Sequence, residues 1–233
     1  MLRVSRAVTW CIFLLLATSA FAKANPEKFN YELDEERLLA GELQVFETEF
    51  RVQGEGKRKR VVGVMILKAP PDRVWEVLED WDAMGEFVPG LEYNKTIHVF
   101  EPPGSVDKPG NSLIEGQIRV LYLTINYTLD VKFDKANYRQ EWSFVTDEQV
   151  RVHNRNNIAV KVATAGLKNI EGFEYIEPYG NGSSTIYYYA PIVETSVPLP
   201  EFVENALTRS TLNGYMEGIR EMVDTLDKRK AER

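Results

Sequence analysis

Leu123-Thr124-Ile125-Asn126-Tyr127-Thr128-Leu129-Asp130-Val131-Lys132-Phe133 alternates apolar and polar residues without a fault. A period of two sustained over eleven residues is that of a β-strand with one buried and one wet face. Residues 91–101, 112–122, 138–146, 149–153, 170–178 and 184–195 carry the same alternation, or the β-branched and aromatic enrichment of strands. Turn signals separate them: Pro102-Pro103-Gly104, the segment 134–137, and Gly180-Asn181-Gly182. Residues 154–169 read equally as a long loop or as a continued strand. The centre of the chain is therefore an antiparallel sheet.

Outward on the N-terminal side, 42–52 and 60–68 form two strands around a turn at 53–56, a hairpin, with Leu43 and Val45 on one side of the first. Before it, 31–40 reads as a short acidic helix. After it, Ala69-Pro70-Pro71-Asp72 starts a helix, since proline suits the first turn. Val74, Val77, Leu78 and Trp81 give that helix an apolar stripe, and Met84-Gly85 breaks it. On the C-terminal side a long helix is expected from Leu199 to about Lys228. Leu199, Phe202, Val203, Ala206 and Leu207 define one apolar face; Leu212, Tyr215, Met216, Ile219, Met222, Val223 and Leu226 define another nearly opposite. One straight helix does not bury both faces on one sheet, so a kink or break is expected within 210–214, where Ser, Thr and Gly occur.

The chain resembles the START/Bet v 1-like (SRPBCC) superfamily, in its polyketide cyclase/coenzyme Q-binding branch. Ala69-Pro70-Pro71-Asp72-Arg73-Val74-Trp75-Glu76-Val77-Leu78 is similar to that family's opening element, and Asp80-Trp81 through Phe87-Val88-Pro89-Gly90 to its continuation. Asn169-Ile170-Glu171-Gly172-Phe173 with Ile176-Glu177-Pro178 resembles the strand before the last hairpin. Pro198-Leu199-Pro200-Glu201-Phe202 resembles the lead-in to the final helix. The match spans most of 42–228. It implies an α+β helix-grip fold, a curved antiparallel sheet wrapped around the long C-terminal helix with an apolar cavity between them. It also implies ligand binding and transfer or, occasionally, cyclisation; a fold by itself fixes neither ligand nor reaction.

Such a cavity is lined by apolar and aromatic side chains with a few polar anchors. Alternation brings Tyr122, Tyr127, Phe133, Trp142 and Phe144 forward as candidates. In the last strand it puts Tyr187 and Tyr189 on one face and Tyr188 on the other. Phe202, Ala206, Leu212 and Met216 on the final helix are placed to close the cavity. Each residue alone reads as filled core; the tyrosines as a set favour a cavity, because a buried hydroxyl needs a partner. His98 and His153 are the two histidines. Alternation turns His153 to water, and no carboxylate spacing makes His98 a general base. Glu115, Gln117 and Arg119 fall on the face opposite Ile114, Ile118 and Val120 and read as surface. No metal-ligand spacing, nucleophile elbow, phosphate loop or dinucleotide fingerprint occurs, so neither a metal nor a cofactor is expected.

The amino-terminal end reads as a secretory signal: Arg3 and Arg6, the apolar run 7–17, and small residues at Ala20 and Ala22, with cleavage after Ala22. The expected organisation is signal 1–22 and one domain, 23–233, with 23–41 an N-terminal extension, destined for a periplasm or for secretion. The single cysteine, Cys11, lies in the signal, so the processed chain holds no disulfide or thiol nucleophile. The formal charge is −7, and without Arg3 and Arg6 it is −9, which argues against nucleic acid as a partner. The basic run Lys57-Arg58-Lys59-Arg60 reads as a solvated hairpin turn or as a transient contact for anionic head groups. Three functions remain: an exported carrier of a lipid, isoprenoid or quinone-like molecule, which is favoured; a polyketide cyclase or aromatase; and an interaction module with a closed core.

Overall fold

The structure, a computed structural model, describes residues 31–231 except 53–55, 104–107, 121–122, 162, 164–166 and 196–200. For 50–52, 56–58, 120, 123, 167, 195, 201–207 and 226–231 it describes the backbone alone. The expected signal, 1–22, lies outside the described residues.

The strands are β1 (Gln44–Val52), β2 (Gly56–Leu67), β3 (Leu91–Glu101), β4 (Gly110–Val120), β5 (Leu123–Asp134), β6 (Arg139–Phe144), β7 (Leu167–Tyr179) and β8 (Ser184–Thr195). Among the described residues they form one antiparallel sheet in the order β1-β2-β8-β7-β6-β5-β4-β3. Every pairing joins sequence neighbours except β2 with β8, which brings the N-terminal hairpin beside the last strand. Four α-helices accompany the sheet: α1 (Glu35–Leu39), α2 (Pro71–Leu78), α3 (Asp147–Arg155) and α4 (Glu201–Ala231), with a 3-10 helix at Trp81–Glu86. This is the α+β architecture that the alternation and the terminal helix called for.

Pro71 occupies the first turn of α2, where a missing N–H costs nothing. Val74, Trp75, Val77 and Leu78 are all fully buried, each contributing on the order of 1.5–3 kcal/mol through loss of apolar surface to water. They join Met65, Leu67, Val131, Phe133, Ile176 and Tyr187 from the sheet and Leu212, Met216, Ile219, Met222 and Val223 from α4 in one core. At Gly63 a side chain of any kind would collide with the Met216 sulfur, so the missing Cβ lets α4 sit down on β2.

The break expected within 210–214 does not occur: α4 runs unbroken from Glu201 to Ala231. The reason is that the helix is covered on two sides. Leu212 and Met216 meet the sheet at Gly63, while Gly214 and Gly218 meet Pro89 and the Phe87–Val88 backbone.

Residues 149–153, expected as a strand, belong to α3. Thr146 caps it, with a reciprocal capping box to Gln149, and its apolar side chain Val150 packs with Leu113, Val145 and Val160. This cluster covers the sheet face remote from α4 around β4, which corrects two further expectations. Glu115 is buried rather than superficial, and His153 is half-buried with its ring 5.9 Å from Phe100. Burial alone would raise the Glu115 carboxyl; hydrogen bonds from Lys161 Nζ (2.7 Å) and the Tyr93 hydroxyl (3.0 Å), with the lysine charge, outweigh it and hold the group below its ordinary range. Over β1 and β2 the same outer face is covered by residues 31–40. Tyr31 stacks on Phe46 at 4.2 Å, and Gln44 exchanges two hydrogen bonds with the Asp34 backbone.

Candidate functional site

The register of the central strands fixes which side chains face α4. Phe133 pairs with Gln140, Gln140 with Glu174, and Glu174 with Tyr189. Because strand side chains alternate, the inner face therefore carries Tyr127, Leu129, Val131 and Phe133 on β5, Gln140, Trp142 and Phe144 on β6, and Glu174 and Ile176 on β7. On β8 it carries Tyr187 and Tyr189. Trp142 lies flat over β7 because Gly172 leaves room: a Cβ there would come within 2.6 Å of the indole and 2.8 Å of the Ala190 carbonyl.

A polar network runs through this apolar face. The Trp81 Nε1–H donates to Gln140 Oε1 at 3.1 Å, and since indole N–H only donates, this fixes the orientation of the Gln140 amide. Gln140 Nε2 then donates to the Leu78 carbonyl at 3.1 Å and to Glu174 Oε1. The Tyr187 hydroxyl donates to Glu174 Oε2. From α4 the Tyr215 hydroxyl comes within hydrogen-bonding reach of Glu174 and Tyr187 and faces the Met84 sulfur at 3.7 Å. Burial pushes the Glu174 carboxyl up, and the hydrogen bonds from Tyr187, Gln140 and Tyr215 pull it back, leaving it at about 7. Burial, followed by the neighbouring carboxyl, raises the phenols of Tyr187, Tyr189 and Tyr215 well above their ordinary range. They remain neutral at any physiological pH.

Tyr189 is central to the aromatic wall. It stacks on Tyr215 at 4.1 Å and on Trp142 at 5.6 Å, and Trp142 meets Trp81 edge-on at 6.1 Å. Tyr189 and Tyr215 are half-buried and packed against the core. Burial is graded along the inner face. It is complete at Met65, Tyr187, Val131 and Phe133, partial at Tyr189, Phe144 and Ile170, and Val193 is 54% exposed. The described inner face is therefore least covered at the Tyr189–Phe144–Ile170 end of the sheet. The Tyr189 hydroxyl finds no hydrogen-bond partner among the described residues.

Of the residues singled out in the sequence, Tyr127, Phe133, Trp142, Tyr187, Leu212 and Met216 come together in the core, with Phe144 and Tyr189 packed half-buried against it. Tyr188 faces the other way, stacked on Tyr175 at 4.4 Å. Tyr122 lies outside the described residues, as do the side chains of Phe202 and Ala206. The basic run 57–60 is in β2, paired with β1, and not in a turn. The side chains of Lys57 and Arg58 are outside the description, Lys59 is exposed, and Arg60 lies over the Phe173 ring at 4.7 Å beside Arg139 at 3.8 Å. Gln140 and Glu174 were missed. For Gln140 a signal existed: a strand that puts Trp142 inside also puts Gln140 there.

Among the described residues no group of three or more His, Cys, Asp or Glu is arranged to hold a metal, and no helix is long and apolar enough to cross a membrane.

The family described as polyketide cyclase / dehydrase and lipid transport matches residues 67–218. A search of curated proteins gave no match. Among solved structures, the chain is similar to a STAR-related lipid transfer protein of Xanthomonas axonopodis (15% identity, TM-score 0.54, 77% of this chain and 93% of that one). It is also similar to a START superfamily protein of Mycobacterium smegmatis (14%, 0.54, 72% and 98%) and to the Zhui aromatase/cyclase of Streptomyces sp. R1128 (12%, 0.51, 82% and 96%). At these identities the structural likeness speaks for the fold alone. The matched segment covers well over half of the chain and contains α2, the whole inner face from β3 to β8 and the first part of the α4 contact, with Leu212 and Met216, so the chain belongs to the polyketide cyclase / dehydrase and lipid transport family.

Proposed function

We propose that this chain is an exported protein that holds one hydrophobic small molecule, a lipid, isoprenoid or quinone-like compound, between the inner face of the sheet and α4, for carriage or sequestration. The observation that carries the reading is the half-buried, stacked pair Tyr189 and Tyr215, beside Phe144 and Ile170, at the least covered end of the inner face. An apolar molecule leaving water for such a wall gains about 25 cal/mol for each Å² it buries. The family description, which includes lipid transport, and the likeness to a lipid transfer protein support the same reading. Export rests on the signal-like residues 1–22, and membrane contact through Lys57, Arg58, Lys59 and Arg60 is part of the same proposal. The test is titration with an apolar fluorescent probe such as N-phenyl-1-naphthylamine. Saturable binding near one probe per chain, weakened by Ile170→Trp, which fills the space, supports the reading. Binding that is absent, or indifferent to Ile170→Trp, overturns it.

One observation favours a cyclase-like enzyme as a second reading: Glu174 titrates near neutrality on the inner face, as a general acid or base does. Against it, Glu174 has no exposed surface and both its oxygens already accept hydrogen bonds. The carrier is therefore preferred.

A further inference from the structure

We propose, on the footing of the carrier reading, that α4 is the element that moves to admit and release the ligand, and that this movement is proton-linked: the closed site keeps a proton on Glu174 that the open site gives up to water.

The part of α4 concerned is 212–219. Leu212, Met216 and Ile219 join the apolar core. Between them Tyr215 brings its hydroxyl within reach of Glu174 and Tyr187, and stacks its ring on Tyr189 at 4.1 Å. A molecule seated between the inner face and α4 has to part these contacts. Parting them takes one hydrogen-bond donor from Glu174 and uncovers a carboxyl that is fully buried while α4 is in place.

The neighbours of Glu174 also fix where the proton sits. Oε1 accepts from the Gln140 amide, which the Trp81 Nε1–H and the Leu78 carbonyl hold in its donating orientation. An acid proton on Oε1 would face that donor. It therefore sits on Oε2, where the Tyr187 hydroxyl turns from donor to acceptor. Among the described residues, the titratable groups around Glu174 are phenols: Tyr187 and Tyr189 of β8, Tyr215 of α4, and Tyr127 of β5 beyond them. Charged residues of the surrounding elements are engaged elsewhere. Arg209 of α4 pairs with Glu47 of β1, and Arg220 with Glu217 and the Gly41 carbonyl. Arg73 of α2 pairs with Glu76, Glu79 accepts from the Trp75 indole, and Asp82 of the 3-10 helix accepts from the Thr96 N–H.

Burial holds the Glu174 carboxyl at about 7 in the closed site, and contact with water returns it towards its ordinary 4.5 in the open one. Below that range both forms keep the proton. Within it the open form loses the proton first, and above it both are ionised. Opening is therefore favoured progressively as pH rises to about 7, and is level beyond.

The experiment is stopped-flow release of N-phenyl-1-naphthylamine from the full processed chain into excess β-cyclodextrin between pH 5 and pH 8. Release is expected to be at least about fivefold faster at pH 8 than at pH 5. Glu174→Gln has no proton to lose here and releases the probe at one rate throughout. His98 and His153, which lie with Phe100 on the outer face, would still titrate in that variant. Tyr215→Phe removes a hydrogen bond that holds the Glu174 carboxyl down, so its rate profile moves to higher pH. This second variant keeps the test valid if Glu174→Gln fails to fold. A native rate equal at pH 5 and pH 8, a pH dependence that persists in Glu174→Gln, or a profile unmoved in Tyr215→Phe overturns the inference and leaves the carrier reading standing. Absence of saturable probe binding at every pH removes the carrier reading itself.

Discussion

Glu174 sits among apolar side chains with no exposed surface and three hydrogen-bonding neighbours, and its carboxyl is raised from the ordinary range to about 7. A carboxyl with a higher pKa in the folded than in the unfolded state holds a proton that the unfolded chain has already released. Stability therefore falls as pH rises from about 4.5 towards 7 and is flat above that. The shift corresponds to about 3 kcal/mol. Urea midpoints measured at pH 5 and pH 8 should show the native chain losing more stability than Glu174→Gln over that interval; identical slopes would assign the effect to other groups. Gln140 is tied to the same network. Gln140→Leu strands the Trp81 N–H, the Leu78 carbonyl and one Glu174 oxygen at once, and should cost about 2–4 kcal/mol in the same assay.

At the scale of elements, α4 is held between the sheet and the 87–89 segment, and its two glycines distinguish the tight contact from the loose one. A Cβ at Gly214 would meet Pro89 at 3.8 Å, an ordinary contact, whereas one at Gly218 would meet the Phe87 carbonyl at 2.8 Å. Gly214→Ala should therefore stabilise by up to about 1 kcal/mol through helix propensity, and Gly218→Ala should destabilise by about 1–3 kcal/mol through overpacking. Thermal unfolding of the pair checks this, and shifts of the same sign would contradict the two-sided packing. The elements also show what could be read from the residues. The strand 123–133 was plain because its alternation is uninterrupted. Val150, Val152 and the residues between them alternate just as well over a short window, and there the capping signal Thr146-x-x-Gln149 outweighs the period. The α4 break failed for a different reason: the expectation of a bend rested on one covering surface, whereas α4 touches both the sheet and the 87–89 segment.

For the molecule as a whole, the sequence pattern located the sheet, its inner aromatics and the closing helix. It could not locate Glu174, because hydrophobic patterning treats a carboxylate on a strand as a mark of the wet face. Only the register that sets Glu174 between Gln140 and Tyr189 reveals it as internal. That register also joins the polar network to every layer: the α2 carboxyl end, the 3-10 helix at Trp81–Glu86, three strands and α4. Beside it the inner face presents the aromatic side chains of Trp142, Phe144 and Tyr189. The most direct measurement is native mass spectrometry, with organic extraction, on the protein purified from its own host. A bound hydrophobic molecule near one per chain is the expected result. A clean mass of the chain alone, with no uptake from an extract of host lipids, would contradict the account.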